Sequence, residues 1–386
     1  MKPVYLDNAA TSFPKPSAVS DEVERCIRLY CGNPGRSSHK LAMASAEKIY
    51  DCREILCSFF SAGSPENVVF TQNATYALNM AIKGILHRGD HVLISDMEHN
   101  AVLRPLSALA NAGLVDIDIF STHRGGTFMS ESEICSGIIQ KIRPNRTKML
   151  VCSHVPNICS SRLPIESIGK ICRSNGIVFV LDASQSAGHL PINMANAQID
   201  VLCAPGHKGL FGIQGCGFMI LGDGIEADTV IEGGSGVDSM NTAMPDHSPE
   251  RFEAGTLPTP AIVGLSEGVK YISRISFDEI RANESKLYGG LRDRLESTAE
   301  LSARIYVPES SGAVMLFNIG DHPSDEVGRF LSKRNICVRS GYHCAPLGHK
   351  TLGTPRGGAI RVSFSIFNRE YELDLLLKAL KEYVRQ

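Results

Sequence analysis

Short apolar runs, each stopping abruptly in polar or glycine-rich sequence, recur along the first 220 or so residues and read as buried strands. They are Val4–Leu6, Val68–Thr71, His91–Ser95, Val115–Phe120, Lys148–His154, Ile177–Leu181, Ile199–Ala204 and Gly215–Leu221. Between most of them lie stretches with apolar residues at helical spacing, predicting helices over Ser17–Tyr30, Leu41–Phe60, Ala101–Ala112, Ser130–Ile142 and Pro164–Ser174, and one starting near Ala74. This alternation predicts an α/β fold with a mostly parallel sheet covered by helices on both faces. The sequence CGNPGRSSHK from Cys31 reads as a loop. Past Leu221 the pattern fades through GGSG at Gly233 and RFEAGTLPTP at Arg251, and a loop of that length inside a domain is functional or mobile. The segment Ala261–Thr298 reads as helical and charged on one face, leading to a smaller α+β domain with a strand at Val314–Ile319 and a helix at Glu370–Tyr383. The expected division is an N-terminal segment 1–16, a large domain 17–260 and a small C-terminal domain 261–386.

Ligands collect outside the carboxyl ends of parallel strands, so the residues just past each run carry the chemical information. Ile177–Leu181 delivers Asp182 and Gln185, and Ile199–Ala204 delivers His207 and Lys208 between Gly206 and Gly209. A carboxylate that keeps a pyridinium protonated, set beside an amine that bonds an aldehyde, is what pyridoxal phosphate requires of a protein. Each residue also has a plainer reading: Asp182 as a helix cap, Lys208 as a solvated loop amine. The turn after Val68–Thr71 opens a helix at Ala74, whose unpaired N–H groups and Thr75 hydroxyl suit a phosphate, or else Asn73 or Thr75 caps the helix and nothing more. His99 follows another strand, where an imidazole can stack on a flat cofactor, move protons or be purely structural. Asn157 stands beyond Lys148–His154 in CSHVPNICS. In the second domain Arg339, His343, Cys344 and Arg361 gather around glycine and proline turns, making Cys344 either a nucleophile or an inert thiol. Lys350, in a second GHK, competes with Lys208 for the aldehyde, but only Lys208 follows a buried strand that fixes its position.

Composition narrows the partners. The balance of 39 basic against 41 acidic residues gives no reason to expect nucleic acid or an acidic membrane surface, and no apolar run reaches membrane-spanning length. The N-terminus lacks the apolar core of a signal peptide, so a cytoplasmic location is expected. The 12 cysteines are scattered through predicted strands and helices without a C-x-x-C pair, which predicts reduced thiols and no metal site.

The motifs VYLDNAAT, MEHNA, LDASQSAG, GHKG, RFEAGT, RSGYHCAP and IRVSFSIFN, in that order from Val4 onwards, make the chain resemble the class V aminotransferase-like cysteine desulfurases and selenocysteine lyases of group II, pyridoxal phosphate fold type I. The resemblance implies pyridoxal 5'-phosphate as cofactor and Lys208 as its Schiff-base lysine. It implies Asp182 at the ring nitrogen, Gln185 at the phenolic oxygen and His99 stacked on the ring. It places the phosphate on Ala74, Thr75, His207 and, from a second subunit, Thr256, so a homodimer with composite sites is implied. Asn157, Arg339 and Arg361 match substrate-binding positions, with Arg361 holding the carboxylate as a bidentate pair. Cys344 matches the cysteine that takes up sulfur as a persulfide.

The implied activity converts L-cysteine to L-alanine and passes sulfur to an acceptor protein or thiol. The alternatives are a selenocysteine lyase acting on L-selenocysteine, a class V aminotransferase or β-eliminating lyase, and, outside enzymes, a metal-binding scaffold. The chain departs from the pattern at Pro205, where many group II enzymes place a phosphate-binding serine, and at Asn73 and Ala74 in the phosphate turn.

Overall fold

The structure, a computed structural model, describes residues 3–35 and 38–386; positions 36 and 37 of the loop expected from Cys31 lie outside them. In chain order the first unit comprises β1 (Val4–Tyr5), α1 (Ser17–Leu29), α2 (Lys40–Phe60), β2 (Val68–Thr71), α3 (Ala74–Ile85), β3 (Asp90–Ser95), α4 (Asn100–Asn111) and β4 (Val115–Phe120). A small hairpin follows, β5 (His123–Arg124) and β6 (Thr127–Phe128), then α5 (Glu131–Lys141), β7 (Thr147–Ser153), α6 (Ile165–Ser174), β8 (Val178–Asp182), β9 (Val201–Pro205) and β10 (Gly217–Leu221). Seven of these strands form one sheet in the order β2-β10-β9-β8-β7-β3-β4. Its core strands read as unbroken apolar runs because helices bury both faces, with Phe179 and Leu181 packed into one cluster and Val180 and Val201 into the other.

The sheet is parallel except at β10, which runs antiparallel to both β9 and β2. The reversal is dictated by length, since the segment 206–216 is too short for the crossover that a parallel return needs.

The helical stretch expected over Ala261–Thr298 is two helices, α7 (Thr259–Ile275) and α8 (Phe277–Ser297), broken at Ser276, whose φ of 71° lies in the left-handed region. Ser276 also caps α8 by accepting from the Glu279 N–H. Helix α7 gives Ile262, Leu265, Val269 and Ile272 to the core beneath the large sheet. Helix α8 gives Leu287, Tyr288, Leu291 and Leu295 to a separate core. The chain therefore passes between cores within α8, between Ile280, which packs in the first, and Leu287, which packs in the second.

The second core lies against a four-stranded antiparallel sheet, β11-β12-β15-β14, built from β11 (Ala303–Tyr306), β12 (Val314–Ile319), β14 (Arg339–Gly341) and β15 (Ala359–Ser363). Its other elements are α9 (Ser324–Lys333), β13 (Ile336–Cys337), α10 (Pro346–Leu352) and α11 (Glu370–Val384). Strand β1 pairs parallel with β13, so the N-terminus of the chain is stitched to its C-terminal unit. The long stretch between β10 and α7 is pinned from below: Glu253 is buried, pairs with buried Arg53 at 2.6 Å and accepts from the Phe70 N–H on β2. All twelve cysteines are free thiols.

Candidate active site

One pocket opens at the carboxyl edge of the large sheet, and the loop after each parallel strand around it contributes a wall. Ala74 and Thr75 follow β2, His99 follows β3, Asn157 follows β7, Asp182 ends β8 with Gln185 just beyond it, and Pro205 ends β9 with His207 and Lys208 just beyond it. Two close backbone approaches fix these loops to one another. A Cβ on Gly188 would sit 2.3 Å from the Gly209 carbonyl oxygen, so the Asp182 loop touches the Lys208 turn directly. A Cβ on Gly217 would meet the Asn73 backbone at 2.6 Å, which presses β10 against the turn that begins α3.

The turn at α3 is capped from its own sequence. Asn73 caps the helix, its side-chain oxygen accepting from the Tyr76 N–H at 3.2 Å. The N–H groups of Ala74 and Thr75 remain among the free donors of the first turn, at the positive end of the helix dipole.

Asp182 lines the pocket, almost fully buried, and its Oδ1 accepts from the Ser184 N–H at 2.9 Å, bracing a turn, since no helix follows β8 for it to cap. Gln185 spends one amide hydrogen on the Ala9 carbonyl at 2.9 Å. His99 accepts from the Ala101 N–H through Nδ1 at 3.0 Å, which leaves its hydrogen on Nε2. Burial lowers the His99 pKa to about 4, so the ring is neutral near pH 7.

Burial also brings Lys208 down to about 8; Arg361 and Arg339 push in the same direction, while Asp182 and Asp7 oppose it. An amine in that range gives and takes protons near neutrality. The turn carrying Lys208 is held by the N-terminal segment: Ser12 Oγ donates to the Lys208 carbonyl at 2.8 Å, and Thr11 Oγ1 and Lys15 Nζ donate to that of His207 at 3.0 and 2.7 Å.

On the second-domain side, Arg361 on β15 is 2% exposed and already engaged. Its Nη2 donates to Asp7 Oδ1 at 2.7 Å and its Nη1 to the Asn157 carbonyl at 3.1 Å, while Nε is buried without a partner. The free bidentate fork expected of Arg361 is thus shared with Asp7. Arg339 stands opposite Arg361 in the β14–β15 register and is exposed.

Cys344 is exposed and does not line the pocket; its place beside the wall is set through the backbone. The Asn100 N–H donates to the Cys344 carbonyl at 2.8 Å, and Asn157 Nδ2 donates to the neighbouring His343 carbonyl at 2.7 Å. Both His343 and Cys344 adopt left-handed backbone, with φ of 52° and 56°. Such conformations cost non-glycine residues on the order of 1–3 kcal/mol each and persist only where neighbours fix them.

The structure therefore gathers Ala74, Thr75, His99, Asn157, Asp182, Gln185, His207 and Lys208 in one pocket. Arg339, Arg361 and Cys344 lie outside its lining, and Thr256 is exposed outside the pocket of this single chain. Lys350 is exposed on α10, away from the pocket lining, so Lys208 has no rival there.

Two carboxylates escaped the sequence reading. Asp7 stands just past β1 as Asp182 stands at the end of β8, a signal of the same kind in a strand of only two residues. Glu98 is fully buried behind the pocket, accepting from the Ser153 N–H and Oγ, each at 3.0 Å, and burial raises its pKa to about 7. Its place within MEHNA, next to His99, was the available clue.

The pocket suits pyridoxal phosphate on an observation independent of motif. Three buried polar atoms around it have no partner among the described residues: His207 Nδ1, Asn157 Oδ1 and Arg361 Nε. Buried groups left so are costly unless a ligand or water satisfies them. An amine of lowered pKa, a buried carboxylate and a helix N-terminus at one strand edge match the three polar regions of that cofactor.

Comparison with known proteins agrees. The family model for aminotransferase class-V matches residues 4–376. A probable cysteine desulfurase of Streptomyces coelicolor is 32% identical, the match covering 100% of this chain and 92% of the relative. One from Pyrococcus abyssi is 31% identical over 99% of this chain and 94% of the relative. Among solved structures, a cysteine desulfurase from Thermococcus onnurineus NA1 superposes with a TM-score of 0.88 at 29% identity, covering 99% of this chain and 95% of that one.

Proposed function

The chain belongs to the class-V aminotransferase family, and from that premise we propose that it is a pyridoxal 5'-phosphate-dependent cysteine desulfurase converting L-cysteine to L-alanine, with sulfur passed to Cys344. The observation that carries the reading is the meeting of Lys208 and Asp182 in one pocket, beside which Asn100 holds the backbone of Cys344 and Asn157 that of His343. Matches to relatives named cysteine desulfurase over almost the whole chain support it.

Lys208, Asp182, Gln185, His99, His207, Ala74 and Thr75 hold the cofactor. Pyridoxal phosphate held by these residues would supply an aldehyde for an amino group and a ring able to accept electrons from Cα. Lys208 Nζ removes the Cα proton, its lowered pKa making it a base near neutrality. Asp182 would be the acidic partner of the ring nitrogen, and neutral His99 would offer Nε2–H toward the pocket. Pro205 brings no hydroxyl to the phosphate, so the backbone donors of Ala74 and Thr75 carry more of that anchorage.

Arg361 and Arg339 supply positive charge for the substrate carboxylate, with Asp7 orienting Arg361, and Asn157 completes the substrate side. The Cys344 sulfur then attacks the substrate sulfur: the Cβ–S bond breaks, an S–S bond forms, Cys344 is oxidised to a persulfide and the carbon skeleton is reduced to alanine. A second thiol, on an acceptor protein or small molecule, removes the outer sulfur.

A homodimer is part of this reading. Ile27 and Leu29 on α1, Leu41 and Met43 on α2, and Met240 in the long loop are exposed large apolar residues suited to cover by a second copy. Thr256 would reach the partner's phosphate from that side. No helix among the described residues is long and apolar enough to cross a membrane.

L-Selenocysteine is the second substrate to test, because its weaker carbon–chalcogen bond has less need of a protein thiol. The deciding experiment supplies the pyridoxal-phosphate-loaded protein with each amino acid and measures alanine, pyruvate, and sulfide or selenide under reducing conditions. Alanine from L-cysteine establishes the desulfurase. Alanine from L-selenocysteine alone makes it a lyase, and pyruvate in place of alanine makes it a β-eliminating enzyme.

A further inference from the structure

The thiol expected to receive sulfur has an unusual support. His343 and Cys344 are consecutive left-handed residues, and their carbonyls are held from the pocket wall by Asn157 and Asn100. What holds the side of His343 that faces away from the wall is a second histidine. His349, in α10, lies edge to edge with His343, with ring centroids 5.3 Å apart and planes 11° from parallel, and His343 Nδ1 meets His349 Nε2 at 3.1 Å. Both rings are buried.

The chain of contacts continues at both ends. His343 Nε2 lies 3.4 Å from the Arg339 carbonyl, and His349 Nδ1 lies 2.9 Å from Thr354 Oγ1. One arrangement of hydrogens satisfies all of these contacts. The Thr354 hydroxyl, which also lies 3.3 Å from the His349 carbonyl, donates to the nearer His349 Nδ1, His349 Nε2–H donates to His343 Nδ1, and His343 Nε2–H donates to the Arg339 carbonyl. Both rings are then neutral, in agreement with burial lowering His349 to about 4 and His343 to about 2. The Tyr342 ring meets His349 edge-on at 5.4 Å, and its hydroxyl accepts from the Gly357 N–H at 2.9 Å, which closes the module on its outer side.

We propose that His349 is a positioning residue for Cys344: through its hydrogen bond to His343 it locks the left-handed pair and so sets where the thiol stands relative to the pocket. It touches neither substrate nor cofactor. The inference rests on Cys344 being the sulfur acceptor of the proposed desulfurase, and deepens that reading by naming what places the thiol. A helix of seven residues carries this part by folding back one turn onto the loop it follows. The donor that counts is Nε2, at the far end of the ring, and the amide nitrogen of glutamine reaches a similar position.

The test compares His349→Phe, which keeps a flat ring and loses the hydrogen bond, with His349→Gln, which keeps a donor and loses the ring. With pyridoxal-phosphate-loaded enzyme, His349→Phe should lower kcat for alanine formation from L-cysteine about 10- to 100-fold, the scale of a misplaced reacting group, with KM and cofactor absorbance unchanged. His349→Gln should recover most of that loss. In a Cys344→Ala background, adding His349→Phe should leave turnover of L-selenocysteine where Cys344→Ala alone set it. Independently of turnover, iodoacetamide should alkylate Cys344 at a changed rate in His349→Phe and at the parental rate in His349→Gln.

Equal activity and equal alkylation in parent and His349→Phe would overturn the proposal, as would equal losses in the Phe and Gln variants. Should His349→Phe fail to fold, Thr354→Val takes its place: removing the hydroxyl at the end of the chain should lower kcat about 3-fold without touching KM, and no change would count against the proposal. If the parent makes no alanine from L-cysteine, the desulfurase reading fails, while the alkylation comparison still decides whether His349 positions the thiol.

Discussion

The two sides of the site are built by different means. On the cofactor side, Asp182 and Lys208 stand at the ends of adjacent buried strands, and the backbones of their loops touch at Gly188 and Gly209. Their positions follow from the sheet. On the thiol side, Cys344 sits exposed on a short loop after β14, a three-residue strand at the edge of the small sheet, held by backbone contacts to Asn100 and Asn157 and by the His343–His349 hydrogen bond. A sheet edge gives a fixed floor for binding the cofactor. A loop tied at a few points gives a thiol that stands outside the pocket, as a group must when it receives sulfur from within and delivers it to a partner outside.

The first way to sharpen this contrast is to remove the amine. Lys208→Ala should reduce alanine formation by at least ~100- to 10,000-fold while the fold survives, because the strand that carries it is unaffected. Circular dichroism and product analysis check this together. A variant with a few per cent of parental turnover would show that another base serves the site.

Asp7→Ala attacks the tie between the two sides. It leaves the buried Arg361 guanidinium without its ion partner and should cost about 3–5 kcal/mol of stability in urea unfolding, the usual consequence of breaking a buried pair from one end. Asp7→Asn, which keeps a hydrogen-bond acceptor, should cost less. If neither variant is destabilised, Arg361 finds other partners and Asp7 does not orient it.

Asn157→Ala removes the 2.7 Å clamp on the His343 carbonyl and should cost about 1 kcal/mol, or roughly 5-fold, in cysteine turnover beyond its effect on KM. An effect on KM alone would confine Asn157 to substrate binding.

The smallest effect concerns pH. Burial holds Lys208 at about 8, below the ordinary lysine value, so its reactive neutral form falls off as pH drops beneath 8 and saturates above it. The rate at which apoprotein takes up pyridoxal phosphate should rise with pH to about 8 and then level. A rate still climbing toward pH 10 would mean that the amine is solvated.

The same contrast explains what was legible in the sequence. Asp182, Gln185, Lys208 and Thr75 are readable because a strand, its end and the residues just past it are neighbours in the chain. The Asp7–Arg361 pair is not, since its members are 354 residues apart and β1 is two residues long. The turn of β10 against its neighbours was implicit in the length of 206–216, yet the apolar run alone cannot report direction. The break at Ser276 escaped notice because a left-handed residue there is serine rather than glycine. Motif resemblance named Cys344, but its exposure and its anchoring through His343 depend on contacts with Asn157 and with the ring of His349, which no periodicity records.

The most direct test of the account is to expose pyridoxal-phosphate-loaded protein to L-cysteine without an acceptor thiol and determine by mass spectrometry where sulfur is added. The account predicts one extra sulfur atom on the peptide containing Cys344, formed together with alanine and absent in Cys344→Ala. Alanine formed by the parent with no sulfur on Cys344, or with sulfur on another of the twelve cysteines, would contradict it.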